Sequence, residues 1–288
     1  AQDKIAEINS NTNATAEEKA AAIEKVNADK TKALTAINDN SVTTKTALDN
    51  AKTSGTTAIS NDNPVATKKD TAKAAIDTAL REKEAAIDAN NALTTEEKNA
   101  AKADAQAKAT AAKAAIDNAT TNATVDNAKT TGVADVESVN PQASQKKTDA
   151  KNAVDEALKA KNDAIDARTD LTAEEKTAAK ADAKAKADAA KTAIDNATTN
   201  DAVTQAKNDG ATSVDSVNPT AQAKPAAKKA IDDALKAKND AIDARTDLTD
   251  EEKTAAKADA KAKADAAKQA IDNATTNVAV EQAKANGT

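Results

Sequence analysis

An Asn-Pro pair recurs at Asn63-Pro64, Asn140-Pro141 and Asn218-Pro219, so the chain repeats itself every 77 or 78 residues. The same step carries Leu93-Thr94-Thr95-Glu96-Glu97-Lys98 to Leu171 and Leu248, with a weaker form from Ala14. It also carries Ile116-Asp117-Asn118-Ala119-Thr120-Thr121-Asn122 to Ile194 and Ile271. A fixed period of this length restricts a chain to small units that each contact mainly their neighbours. It predicts four units: 1–63, divergent and lacking the start of its first helix; 64–140; 141–218; and 219–288, cut short in its third helix. The whole reads as a piece of a longer array.

Ile, Leu and Val together number 34 of 288, below the roughly one-fifth at which a highly charged chain becomes suspect for disorder. Net charge is only −6, and the few large aliphatics hold a strict register. They fall at Ile76, Leu80, Ile87 and Leu93, then at Val154, Leu158, Ile165 and Leu171, then at Ile231, Leu235, Ile242 and Leu248. A disordered linker has no reason to keep that spacing.

Each unit predicts three helices. The first is expected to open at the Asn-Pro pair, with Asn140 or Asn218 as N-cap and Pro141 or Pro219 at the first helical position. A capping box opens the second: Thr94 with Glu97, Thr172 with Glu175, Thr249 with Glu252, and Thr15 with Glu18. Its inner face is almost all alanine, Ala101, Ala105, Ala109, Ala112 and Ile116, then Ala179, Ala183, Ala187, Ala190 and Ile194. In the third helix Val125, Ala128, Gly132, Val136 and Val139 form one stripe, as do Val203, Ala206, Gly210, Val214 and Val217. The stripe keeps phase through the glycine, which predicts a close helix crossing; the competing reading is a C-cap glycine that ends the helix early. Exposed i,i+4 pairs are expected between Asp77 and Arg81, Asp155 and Lys159, Asp104 and Lys108, and Asp182 and Lys186.

The predicted fold class is all-α, tandem three-helix bundles stacked end to end into an elongated rod. Three antiparallel helices bring the chain into a unit at one end and out at the other, and helices of about 24 residues make each unit roughly 35 to 40 Å long. Neighbouring repeats of the same chain are the predicted partners, in a monomer.

The side-chain inventory excludes most chemistry. His, Cys, Met, Trp, Tyr and Phe are absent, which removes the usual general base, thiol nucleophile, soft metal ligands and aromatic anchors. No catalytic, cofactor-binding or metal-ligating residue is predicted, no cofactor is implied, and the chain is not expected to be an enzyme. Asp243, Asp247 and Asp250 lack the loop glycine and spacing of a calcium loop and read as a solvated helix end. Lys and Arg total 41 against 47 Asp and Glu, interleaved without a basic stripe, so no nucleic-acid partner is predicted. No apolar run approaches the roughly 18 residues of a span, so no membrane insertion is predicted. The absence of cysteine fits either a reducing cytosol or a disulfide-free extracellular protein.

Taken in order, Leu-Thr-x-Glu-Glu-Lys, the Ala-Lys-Ala-Asp helix, Ile-Asp-Asn-Ala-Thr-Thr-Asn, Ala-Lys-x-x-Gly and a closing Val-Asn-Pro resemble the alanine-rich repeats of Gram-positive cell-wall-anchored surface proteins. These repeats, known only as a domain of unknown function, occur in proteins such as staphylococcal SasC. The likeness is strongest over 64–288; repeat one departs from it with Ala14 for the leading Leu, Ile23 and Val26 in the second helix and Asp62-Asn63 before the proline. The resemblance implies a bacterial cell-surface location and a stalk carrying an adhesive region that lies elsewhere; it supplies no site residues. The leading function is thus a structural spacer. Its rival is a weak multivalent binding module for cell–cell self-association or a host protein. Hot spots favour Trp, Tyr and Arg, and the chain has only Arg81, Arg168 and Arg245.

Overall fold

The structure, a computed structural model, describes residues 1–141 and 143–288. Among them are twelve α-helices and no strand, divided between two compact units, Ala1–Ala143 and Ser144–Thr288. The first unit holds α1 (Gln2–Ser10), α2 (Ala16–Ile37), α3 (Lys45–Asn61), α4 (Lys68–Ala89), α5 (Thr95–Asn118) and α6 (Asn122–Glu137). In the second are α7 (Gln145–Asp166), α8 (Ala173–Asn196), α9 (Asn200–Asp215), α10 (Ala223–Asp243), α11 (Asp250–Asn273) and α12 (Asn277–Gly287). Packing follows the period: each set of three consecutive helices forms one bundle, two bundles to a unit.

The bundle cores are thin and built as the aliphatic spacing predicts. Ile76, Ile116, Val125 and Val136 are fully buried in the second repeat, and Val154, Ile194, Val203 and Val214 hold the same places in the third. Between them run the alanines of the middle helix, with Ala105, Ala109 and Ala112 buried in α5 and Ala183, Ala187 and Ala190 in α8. Gly132 and Gly210 lie inside α6 and α9, both buried, and no glycine has a positive φ. The stripe therefore continues through the glycine and the C-cap reading fails. A methyl group placed on Gly132 would sit 2.4 Å from the Ala112 Cβ, and on Gly210 2.3 Å from the Ala190 Cβ. Close approach leaves room for only one methyl at each crossing.

Two surface details differ from expectation. Asp104–Lys108 and Asp182–Lys186 form at 3.5 and 3.6 Å, but Asp77 and Asp155 instead reach across to Lys113 and Lys191 on the middle helix. Asp232 does the same with Lys268. In a narrow bundle the neighbouring helix comes as close as the next turn of the same helix, so the carboxylate chooses the lysine that also ties two helices. The second correction concerns the Asn-Pro pairs, which do not open helices. Helices α4, α7 and α10 begin at Lys68, Gln145 and Ala223, each four residues beyond its proline, with Thr67, Ser144 and Gln222 as N-caps. Pro64, Pro141 and Pro219 lie in the linkers between bundles.

Repeat one differs from the others at its first helix. Helix α1 has 9 residues where its counterparts have 21 or 22, so part of the α2–α3 face has no third helix over it. Leu48 is 42% exposed there, whereas Val125, at the equivalent place in α6, is fully buried.

Candidate functional site: the joint between repeats

All four capping boxes form: Thr15, Thr94, Thr172 and Thr249 each accept from the backbone N–H three residues on, and the glutamate there accepts from the threonine's own N–H. Within each unit this box has a second role. Glu18 Oε2 accepts from Thr15 N at 2.9 Å, while Oε1 accepts from Thr67 N and Lys68 N, both at 2.9 Å, at the start of α4. The second unit repeats the arrangement: Glu175 Oε2 accepts from Thr172 N at 2.9 Å, and Oε1 from Gln222 N and Ala223 N at 2.9 and 3.0 Å.

The preceding glutamate serves the next helix over. Glu17 accepts from Asn122 N at the start of α6 at 3.0 Å, and Glu174 from Asn277 N at the start of α12 at 2.9 Å. Three helix N-termini thus converge on one Glu-Glu pair: that of the middle helix itself and those of the first and third helices of the following repeat. The carboxylates accept from otherwise orphaned N–H groups and offset the positive ends of three helix dipoles. Helices α4 and α10 have no side-chain cap of their own. By contrast, α7 is capped by Ser144, which accepts from Lys147 N at 3.1 Å.

Burial pushes the Glu18 carboxyl up, but the backbone N–H groups of Thr15, Lys68 and Thr67 pull it down further and leave it below its ordinary value. At Glu175 burial is likewise outweighed by the N–H groups of Ala223, Thr172 and Gln222.

A buried lysine completes the joint. Lys69 donates to Thr12 O at 3.0 Å and Asp117 O at 2.7 Å, and Lys224 donates to Thr169 O at 2.9 Å and Asp272 O at 2.8 Å. Each ammonium, on a side chain that is almost wholly buried, caps the C-terminal end of its own middle helix and grips a loop of the preceding repeat. The backbone adds Ala16 N to Thr120 O at 2.9 Å and Ala173 N to Thr275 O at 2.8 Å. Burial follows the contact: Thr15 and Thr172 are fully buried in their joints, whereas Thr249, with no repeat packed over it, is exposed.

Repeat one departs at this end too. Asp62 stands buried where the later repeats have Val139 and Val217, and it pairs with Lys25.

The sequence singles out the threonine and the N3 glutamate as intrahelical caps. It says nothing by eye of Glu17, Glu174, Lys69 or Lys224, although Lys69, Lys147 and Lys224 recur at the period. The acidic residues near 247 do not converge: Arg245 holds Asp247, with its carboxyl down at about 2, and Asp243 pairs with Lys257. Among the described residues no group of three or more His, Cys, Asp or Glu is placed to hold a metal, and no helix is long and apolar enough to cross a membrane.

Staphylococcal proteins are among the curated relatives. The extracellular matrix-binding protein EbhA of Staphylococcus aureus strain Newman is 31% identical over 226 residues, covering 78% of this chain and 6% of its own length. The extracellular matrix-binding protein ebh of strain USA300 / TCH1516 is 33% identical over 227 residues, covering 78% of this chain and 2% of its own. The chain therefore spans only a few per cent of these relatives, whose names describe matrix-binding proteins. The likeness to SasC stays at the level of the family. No solved structure matches the chain. The model of the family described as Domain of Unknown Function (DUF1542) matches residues 1–67, 68–144, 146–222 and 223–288, nearly the whole sequence, and the chain belongs to that family.

Proposed function

We propose that the chain is a spacer: a segment of a bacterial cell-surface protein whose repeats set the distance between the wall and an adhesive region located elsewhere. The observation that carries this reading is the joint. The recurring polar motif beyond the bundles ties the end of one repeat to the start of the next, in both units, through Glu17, Glu18 and Lys69 and through Glu174, Glu175 and Lys224. On this reading, four bundles in series at the rise of a helix should give a maximum dimension on the order of 130 Å. Domain limits at 63/64, 140/141 and 218/219, extracellular location, anchoring to the wall through other parts of the protein, a monomeric state and the lack of any catalytic or ligand site belong to the same proposal.

Small-angle scattering tests the shape, and a compact particle overturns it. Removing residues 141–218 should shorten the rod by roughly 35 to 40 Å and leave the other repeats folded. In the intact parent, adhesion should fall with that loss of reach and return when an unrelated helical rod of equal length is inserted.

The relatives' matrix-binding names support a second reading, in which the repeats themselves make weak, multivalent contacts with a host protein. Saturable binding of the isolated chain to matrix protein, together with failure of the unrelated rod to restore adhesion, would favour it over the spacer.

A further inference from the structure

We infer that each joint is a hinge locked by one doubly engaged carboxylate: neutralising Glu18 or Glu175 frees the first helix of the following repeat to swing while both bundles stay folded. This goes beyond the spacer reading and stands on the joint geometry alone.

Three N–H donors occupy the two oxygens of Glu18, one from its own capping box and two from α4, and Glu175 is filled in the same way from its box and from α10. A carboxylate can accept on both oxygens. A protonated carboxyl, or the amide of glutamine, has one carbonyl oxygen and turns a donor toward the other side, so it can satisfy the box or the next repeat but not both. The box closes over three residues and the cross-joint contact over nearly fifty, so the neutral group keeps the box. What gives way is the α4 or α10 side.

The opposite side has other ties. Ala16 N to Thr120 O and Glu17 to Asn122 N hold the turn between α5 and α6, and Ala173 N to Thr275 O and Glu174 to Asn277 N hold the turn between α11 and α12. These contacts form the pivot, while on the α4 and α10 side the flexible side chains of Lys69 and Lys224 remain as tethers to Thr12 O and Thr169 O. The charged groups brought up to Glu18 are Glu17 and Lys19 on α2, Lys68 and Lys69 on α4, and Asp126 on α6. Lys68 is engaged by Asp126 at 2.7 Å and Lys19 by Asn9 O at 3.0 Å, and Asp62 pairs with Lys25 at the same end. Around Glu175 stand Glu174 and Lys176 on α8, Lys224 on α10 and Asp272 at the end of α11; Lys176 donates to Asp166 O at 2.8 Å, and Asp272 pairs with Lys228. Backbone N–H groups rather than a neighbouring cation therefore hold the two glutamates in their charged form. Both titrate below the ordinary glutamate value, so the lock is complete at neutral pH and is lost as pH falls through the lowered value.

The chain has no cysteine, so two introduced thiols take spin labels without competition. One pair, Ala20→Cys with Thr71→Cys, spans the joint from α2 to α4; a second, Thr78→Cys with Thr110→Cys, stays inside one bundle. In the full chain at pH 7 the joint pair should give a narrow distance distribution. It should broaden when Glu18→Gln is added, and again in the wild-type background when pH falls below the glutamate range, while the in-bundle pair and the helical circular dichroism stay unchanged. A joint distribution that remains narrow in the glutamine variant or in acid overturns the proposal. So does simultaneous broadening of both pairs, which would make the carboxylate a support of the bundle. Neither result bears on whether reach governs adhesion, so this inference and the spacer reading fail separately.

Discussion

The interior of a bundle and the joint between two bundles solve the same packing problem with opposite materials. Inside, a glycine faces an alanine, Gly132 on Ala112 and Gly210 on Ala190, and contact is made by removing atoms. At the joint, contact is made by adding charge: two glutamates take the N-termini of three helices and a lysine takes the carbonyls opposite. The interior tolerates no extra volume and is indifferent to pH. The joint is held by ionised side chains. Rigidity along the array and rigidity within a repeat are therefore separable properties, and substitutions should divide them.

The largest effect belongs to the interior. Gly210→Leu should cost about 3 kcal/mol, because a crossing without room for a second methyl must accept a whole side chain; a thermal melt measures it. Gly210→Ala is the finer probe. Its gain in helix propensity of up to about 1 kcal/mol is set against a methyl placed 2.3 Å from the Ala190 Cβ, and the variant should come out less stable. Ala190→Gly in the same chain should recover most of the loss. Without that recovery, the Gly–Ala contact is not what sets the crossing.

Lys224→Met comes next and strikes the joint. It keeps the apolar stem but leaves Thr169 O and Asp272 O without their donor, at a cost of about 1 to 3 kcal/mol. Denaturant unfolding should show the loss, and proteolysis should become faster in the linker at 217–222 while the bundles stay resistant.

Thr172→Ala and Thr249→Ala remove the same cap in different settings, each costing about 1 kcal/mol through the lost N-cap bond. Thr172, fully buried in a joint, should lose more than the exposed Thr249. Equal losses would mean that the joint adds nothing to the box. At the small end, Arg245→Ala should leave the melting temperature unchanged, since the Arg245–Asp247 pair is exposed to solvent.

The bundles were legible from sequence because their determinants are local and periodic. Aliphatic steps place Ile76, Ile116 and Val125 in the core, the capping boxes mark the starts of the middle helices, and the phase of the valine stripe carries the third helix through Gly132 and Gly210. The joint was legible only in half. Thr172 and Glu175 are three residues apart and announce a cap, but the second oxygen of Glu175 reaches a backbone 47 residues away, and backbone N–H groups carry no sequence signature. The same blindness misplaced the helix starts. Asn-Pro looks like a self-sufficient N-terminus, whereas α4 and α10 borrow their cap from the preceding repeat and can begin where no local signal marks the site. Lys69 and Lys224 were hidden for the complementary reason, being single lysines in a chain where lysine is common.

The shared cap also bears on how such a gene can change length. One half of each joint described, the Thr-x-Glu-Glu segment, lies at one end of a repeat, and the acceptor half lies at the other. An unequal crossover between the two joints described, at matching positions, rebuilds a whole joint at the seam, since each supplies the same two halves. A crossover out of phase brings a Glu-Glu pair to a place with no helix start to receive it, and strands a helix with no cap. The array can therefore lengthen and shorten by whole periods without loss of fold, while the joint itself removes the intermediate lengths.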